Sequence, residues 1–324
     1  MRVAVCADME GVSGIDRFEE CFPSWSADYR KGVRLLVAEI RAAVHAAEEA
    51  GADEVVLADW HYLGRNIPAP AFPGLPIRRL WSAGRPVVGA QGLGRPDAAV
   101  FVGMHAGARN AEGFLSHTFW RGMAVLLEGR ALPEAVLWAL ALGATDVPVA
   151  VIAGDQRAGE EVRELLPGIR TVAVKAGVSR TRAMLRPPKD ARQELAETVR
   201  SALSDLPPPF THAFPAQATI RYARRSWAAL ATRRGVGDRA GERDVSTSLG
   251  SVHDLAPFLA RALLATPGGA TPAVANAVLP STDGRGPRAW TSAVLGLTGR
   301  LERGAIRAWT RERPELYPAV APGG

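Results

Sequence analysis

The chain has 324 residues, 47% of them hydrophobic and 22% charged, which excludes wholesale disorder and collagen-like repetition and allows a large core without disulfides. Two cysteines, Cys6 and Cys21, exclude a disulfide framework and a cysteine-based zinc site, and they fit a reducing compartment. The net charge of +6 is carried almost wholly by arginine, with lysine only at Lys31, Lys175 and Lys189; these charges are dispersed and lack the interleaved aromatics of a base-stacking platform, so no nucleic-acid partner is expected.

The first half alternates apolar β-rich runs with helical runs. Arg2–Ala7 reads as a strand. Tyr29–Ala50 reads as an amphipathic helix, with Val33, Leu36, Val37, Ile40, Val44 and Ala47 at helical spacing and Gly51 as its stop. Strands are expected over Glu54–Ala58, Ala98–Gly103, Met123–Leu127 (closed by a turn at Gly129) and Val147–Ala153. Helices are expected over Leu132–Leu142, with Pro133 in its first turn, and over Gln156–Leu166. A strand at Arg170–Val174 and a helix near Lys189–Asp205 continue the series. Such alternation predicts an α/β fold: a mostly parallel sheet with flanking helices.

The triplet Pro207–Pro209 is a stiff break and marks a boundary. After it, strands at Ala218–Tyr222 and Asp244–Leu249 and a helix over Val252–Ala265 make a smaller α+β C-terminal module. The expected division is residues 1–206 as the principal domain, 207–267 as the small module and 268–324 as an extension. Within that extension Ala289–Trp309 is a candidate helix and Pro318–Gly324 a tail. The N-terminal apolar run ends at Asp8, too soon for a secretory leader. Val136–Ala144 is far shorter than the ~20 residues of a membrane span. A cytoplasmic protein without a membrane partner is expected.

The chemistry-bearing residues fall at strand ends. The first strand runs into Asp8-Met9-Glu10, the second into Asp59-Trp60-His61 and the third into Gly103-Met104-His105. In open α/β sheets, ligands bind beyond the carboxyl ends of the strands, so three strands would deliver Asp8, Glu10, His61 and His105 to one edge. Alone, a carboxylate there is ordinary solvated loop chemistry and a histidine an ordinary hydrogen-bonded group. Together they form the mixed carboxylate–imidazole set that suits a divalent metal. They are too many for one tetrahedral ion, and two ions sharing a bridging carboxylate or water would use them better. His117, in Ser116-His117-Thr118 after a glycine-bearing loop, has the pKa range of a proton carrier. Asp59 is either an orienting group for a ligand or a strand-end hydrogen-bond acceptor. Glu134, on residue type and position, is only a first-turn acid favoured by the helix dipole. His45, His212 and His253 read as structural or surface residues.

At these positions the chain resembles the D-aminopeptidase family of binuclear zinc peptidases, peptidase family M55. The resemblance runs through Asp8-Met9-Glu10-Gly11-Val12-Ser13-Gly14, Asp59-x-His61, Gly103-x-His105-Ala106, Ser116-His117 and Glu134. It continues through Gly154-Asp155-x-Arg157-Ala158, Ala173-Val174-Lys175 and Val178-Ser179-Arg180, over about residues 1–265. It implies that Asp8, Glu10, His61, His105 and Glu134 bind two Zn2+ ions, with Asp8 as bridge, and that His117 is the catalytic histidine. Mn2+ or Co2+ suits the same ligands.

The implied activity is removal of the N-terminal residue of short, D-amino-acid-containing peptides by a metal-bound hydroxide. His117 would shuttle a proton or stabilise the oxyanion. The rival readings are a binuclear metal amidohydrolase or esterase acting on a non-peptide amide, and a catalytically silent ring-forming scaffold. The family also implies a ring-shaped homo-oligomer, in which the small module would serve assembly. Trp60 and Trp120 flank site residues and depart from the family pattern, so they are expected to reshape the substrate pocket.

Overall fold

A computed structural model of the chain describes residues 1–266 except 24–25, 63, 80, 83–84, 87–91 and 167. The extension expected at 268–324, with its candidate helix, lies outside the described residues. In chain order the elements begin with β1 (Arg2–Ala7), α1 (Phe18–Cys21), α2 (Ala27–Glu49), β2 (Glu54–Asp59), β3 (Ile77–Arg79), β4 (Trp81–Ser82), β5 (Arg85–Pro86) and β6 (Ala98–Met104). Then come β7 (Met123–Leu127), β8 (Arg130–Leu132), α3 (Glu134–Gly143), β9 (Val149–Asp155), α4 (Gln156–Leu165), β10 (Arg170–Ser179), β11 (Arg182–Leu185) and α5 (Pro188–Leu203). The described part closes with β12 (Ala216–Tyr222), α6 (Arg225–Arg233), β13 (Asp238–Arg239), β14 (Asp244–Leu249) and α7 (Leu255–Leu264).

A seven-stranded sheet has the order β11-β10-β9-β6-β1-β2-β3. All of its pairings are parallel except that of the edge strand β11 with β10. The expected α/β class with a mostly parallel sheet is what forms. Its central strands are buried on both faces, which is why they read as continuous apolar runs rather than alternating ones.

The two faces feed two cores. Val3, Val5 and Ala7 of β1, with Val100 and Val102 of β6, pack with α2 and α5 residues such as Leu36, Ile40 and Leu195. Ala4 and Cys6 of β1, with Phe101 of β6, pack with Trp138 of α3 and with residues of the second sheet. Helix α2 forms where Ser26 caps it, its side chain accepting the Tyr29 N–H at 3.1 Å, and where its apolar stripe meets the first core.

The second sheet has the order β13-β14-β12-β7-β8 and is antiparallel throughout. It draws β7 and β8 from before the Pro207–Pro209 break and β12, β13 and β14 from after it. The proline triplet therefore separates chain segments that share one sheet. Leu132 closes β8 and Pro133 is the N-cap of α3, so the helix expected from Leu132 starts at Glu134. Among the described residues no helix is long and apolar enough to cross a membrane.

Candidate metal centre

The position of the site follows from strand order. The chain builds β2 and β3 on one side of β1, then crosses to place β6, β9 and β10 on the other. The strand ends diverge at such a switch point, between β1 and β6, and leave a crevice. Asp8 and Glu10 follow β1, His105 follows β6 and His61 follows β2. The loops after β1 and β6 approach closely: the Gly11 N–H donates to the Gly103 carbonyl at 2.8 Å. Glycine is required on both sides. A Cβ on Gly11 would lie 2.0 Å from the Met104 carbonyl oxygen, and one on Gly103, at φ +72°, would lie 2.1 Å from that of Asp8.

All six sequence-predicted residues come together. Asp8 Oδ1 is 2.9 Å from His61 Nδ1, and Asp8 Oδ2 is 3.3 Å from His105 Nε2. Glu10 Oε2 is 3.1 Å from the same His61 nitrogen, and Glu134 Oε2 is 3.4 Å from the same His105 nitrogen. His117 Nε2 stands 4.0 Å from Glu10 Oε1, and the His105 and His117 rings stack with centroids 4.0 Å apart. Asp8, Glu10, His61, His105 and Glu134 are buried and His117 is nearly so. Three groupings bring their ligand atoms within 4.8 Å of one another: Asp8–Glu10–His61, Asp8–His105–Glu134 and Glu10–His105–His117.

The outer nitrogens fix how the rings are used. His61 Nε2 donates to the Cys21 carbonyl at 2.8 Å, His105 Nδ1 to the Ala106 carbonyl at 2.9 Å, and His117 Nδ1 to the Leu115 carbonyl at 2.7 Å. A carbonyl oxygen only accepts, so each of these nitrogens carries the proton. The inner nitrogens of His61 and His105 then face carboxylate oxygens, lone pair against lone pair. Only a proton or a cation on the inner nitrogen relieves that opposition. Glu10 Oε2 and His105 Nε2 are buried and take no hydrogen bond. Two carboxylate–imidazole sets around orphaned buried ligand atoms fit a divalent cation such as zinc.

The electrostatics agree with this reading. Burial pushes the Asp8 carboxyl up, but His105 and His61 outweigh it and hold it well below the usual carboxylate range. Burial lowers His61, yet Glu10 and Asp8 raise it well above the usual imidazole value. His105 is raised likewise by Asp8 and Glu134. His117 goes the other way: burial, and then the neighbouring His105, push it well below the usual value, so it is neutral at pH 7. Glu134 is raised by its burial.

Several residues hold these groups without belonging to them. The buried Asp59 carboxylate accepts the backbone N–H of Ile67 at 2.9 Å and the Asn66 side-chain amide at 2.8 Å. Asn66 also donates to the His61 carbonyl at 2.7 Å. Asp59 is thus a strand-end acceptor, linked through Asn66 to the main chain of His61.

The loop carrying His117 is fastened by motif residues whose role the sequence did not reveal. Asp155 accepts the N–H groups of Phe114 at 2.7 Å and Gly177 at 2.9 Å, and Arg180 donates to the Ala108 carbonyl at 2.8 Å. Glu161 accepts the Gly107 N–H at 2.7 Å. Leu115 and Phe119, on either side of His117, hold φ values of +48° and +58°, the left-handed strain that packed functional loops store. Phe119 donates its N–H to Glu134 Oε2 at 2.8 Å, tying this loop to the start of α3.

Trp60 corrects an expectation. It is buried, stacks on Trp138 with centroids 4.4 Å apart and meets Phe101 edge-on at 5.0 Å. It is core: its ring packs between Trp138 of α3 and Phe101 of β6, while the next residue, His61, takes the side of the site. Trp120 is half-buried and packs against Trp227 at 4.8 Å. Sequence reasoning missed Asn66, Glu161 and Glu39. Only Glu39 left a signal: an acid set among Leu36, Ile40 and Ala43 on the buried stripe of α2.

Comparison with known proteins places these features in context. Residues 1–260 match the family model of peptidase M55, D-aminopeptidase. A D-aminopeptidase of Bacillus subtilis (strain 168) is 31% identical over 210 residues, 63% of this chain and 74% of that protein. A solved structure, described as the Zn-dependent D-aminopeptidase DppA from Bacillus subtilis, a self-compartmentalizing protease, superposes with a TM-score of 0.74 at 26% identity. It covers 83% of this chain and 98% of that one.

Proposed function

The chain belongs to the peptidase M55 family of D-aminopeptidases, and from that premise we propose that it is a zinc-dependent aminopeptidase that removes the N-terminal residue, a D-amino acid, from short peptides. The observation that carries the reading is the facing of inner imidazole nitrogens and carboxylates around Asp8, with the outer N–H groups committed to carbonyls. Asp8, Glu10 and His61 would hold one ion and Asp8, His105 and Glu134 a second, with Asp8 shared. Ions bound there would lower the pKa of a coordinated water toward neutrality and polarise a carbonyl oxygen.

The protein's own groups do the rest. His117 presents an unprotonated Nε2 to the site because its Nδ1–H is held by Leu115. Its depressed pKa keeps that lone pair available at pH 7. It accepts a proton at Nε2 as the carbonyl is attacked and returns it to the departing amine nitrogen. With the Leu115 hydrogen bond fixing the ring, the proton moves without reorienting the imidazole. The free amine of a peptide would bind one of the ions or a carboxylate beside them, which is the physical ground for exopeptidase action.

Assembly into a homo-oligomer is part of the proposal. Of the exposed large apolar side chains among the described residues, Val178, Met184 and Leu185 all lie on the β10–β11 hairpin at the edge of the large sheet. An exposed apolar edge strand calls for a cover. A cytoplasmic location accords with Cys6 and Cys21 as buried free thiols.

The deciding experiment measures bound metal and hydrolysis of D-alanyl peptides beside their N-blocked forms and L-counterparts. Turnover of the free D-peptide alone supports the reading. Equal turnover of the blocked form favours an amidohydrolase, and no turnover with zinc, manganese or cobalt favours a silent scaffold. Isolation of an acyl-His117 adduct by mass spectrometry overturns the proton-transfer role.

A further inference from the structure

Beyond the six residues of the centre, two buried charges converge on the loop that carries two of them. We propose that Lys175 and Glu39 are positioning residues that fix the backbone of residues 8–15 and thereby set the spacing of the Asp8 and Glu10 carboxylates for metal. This rests on the metal reading of the site.

Lys175 projects from β10 and is wholly buried. Its Nζ donates to the carbonyls of Glu10 and Ile15, each at 2.6 Å. Glu39 projects from α2, is equally buried, and accepts the Ser13 N–H at 2.8 Å. The loop is thus gripped at Glu10, in its middle and at Ile15, by elements that approach it independently. Among the described residues, Glu39 belongs to none of the groupings able to hold a metal.

Lysine and glutamate are almost never fully buried without a specific partner. Here the partners are main-chain groups, which must be paired once removed from water. An ammonium with three donors can satisfy two carbonyls five residues apart, which no neutral side chain of that reach does as well. Lys175 Nζ also stands 5.0 Å from the centre of the Phe114 ring. Phe114 belongs to the loop of His117 and is itself held by Asp155. One buried ammonium therefore touches both loops of the centre.

The test uses the full chain, with zinc affinity measured by competition against a chromophoric chelator and the Tm of the metal-free protein by circular dichroism. The variants are Lys175→Met, Glu39→Ala and Glu39→Gln, with Leu259→Ala in α7, part of the other core, as a control for plain destabilisation. Lys175→Met and Glu39→Ala should each weaken zinc binding about 10–100-fold, the usual cost of losing a group that orients metal ligands. Glu39→Gln, which keeps an oxygen for the Ser13 N–H, should recover most of the loss, and Leu259→Ala should bind zinc as wild type does despite its lower Tm.

Wild-type affinity in Lys175→Met and Glu39→Ala overturns the proposal. So does a loss in Leu259→Ala as large as theirs. If Lys175→Met does not fold, Glu39→Ala against Glu39→Gln decides on the same criteria. A wild-type protein that binds no divalent metal sinks the metal reading and this inference together; zinc bound equally by wild type and variants sinks only the inference.

Discussion

Substituting Gly11 by alanine adds one methyl group and changes no side chain of the centre, yet it should disable the site. The new Cβ would lie 2.0 Å from the Met104 carbonyl oxygen and 2.6 Å from the carbonyl carbons of Gly103 and Met104. All three are backbone atoms, so no side chain can swing away. To restore even a 3.0 Å contact the loops after β1 and β6 must part by about 1 Å. Glu10 and His105 sit next to the colliding residues, one on each loop, so the separation passes directly into the ligand set. A misplacement of ~1 Å costs on the order of 100-fold in rate, about 2.7 kcal/mol of barrier. Overpacking of this kind removes a further ~1–3 kcal/mol of stability. The assay is kcat/KM on a D-alanyl peptide at saturating zinc, with chemical denaturation alongside. Gly51→Ala is the comparison: its φ is +90° with nothing within 4 Å of the added methyl, so it should lose ~1 kcal/mol of stability and keep wild-type kcat/KM. If Gly11→Ala retains wild-type kcat/KM and zinc affinity, the contact of the two loops does not set the geometry of the centre.

His117→Ala should lower kcat about 100- to 10,000-fold while bound metal, read by atomic emission, stays at the wild-type level; loss of metal would instead make His117 a ligand. Asp8→Asn should strip metal from both groupings, whereas Glu134→Gln should leave the Asp8–Glu10–His61 grouping able to bind, so metal content should separate the two variants; equal stoichiometry refutes a shared Asp8. In the metal-free protein His61 and His105 lie well above the ordinary imidazole value and are protonated at pH 7, whereas His117 is neutral. Metal must displace the two inner protons, so calorimetry in buffers of different ionisation enthalpy should show about two protons released on saturation at pH 7. Release should decline and affinity rise as pH climbs through the raised values; affinity independent of pH refutes the assignment.

Part of this centre could be read in the sequence because strand ends are legible. The apolar runs Arg2–Ala7, Glu54–Ala58 and Ala98–Gly103 end where polar residues announce an edge, and Asp8, Glu10, His61 and His105 stand within three residues of those ends. Glu134 was readable only through family resemblance, and His117 only as a loop histidine suited to carry a proton. Glu134 reaches His105 because Pro133 starts α3 there, and His117 depends on two residues at positive φ and on anchors such as Asp155 and Arg180. Neither arrangement has a local period or spacing to betray it.

The sequence by itself determined the class of fold, the ends of the central strands and the kind of side chain gathered there. These depend on hydrophobic periodicity and on residue type, which are local properties. The tertiary structure alone decided that β7 and β8 join strands from beyond the proline break, that Trp60 turns into the core, and that Lys175 and Glu39 meet the loop after β1 from remote parts of the chain. Burial of a charge and the pairing of a main-chain group depend on what lies across space, and sequence distance carries no record of that.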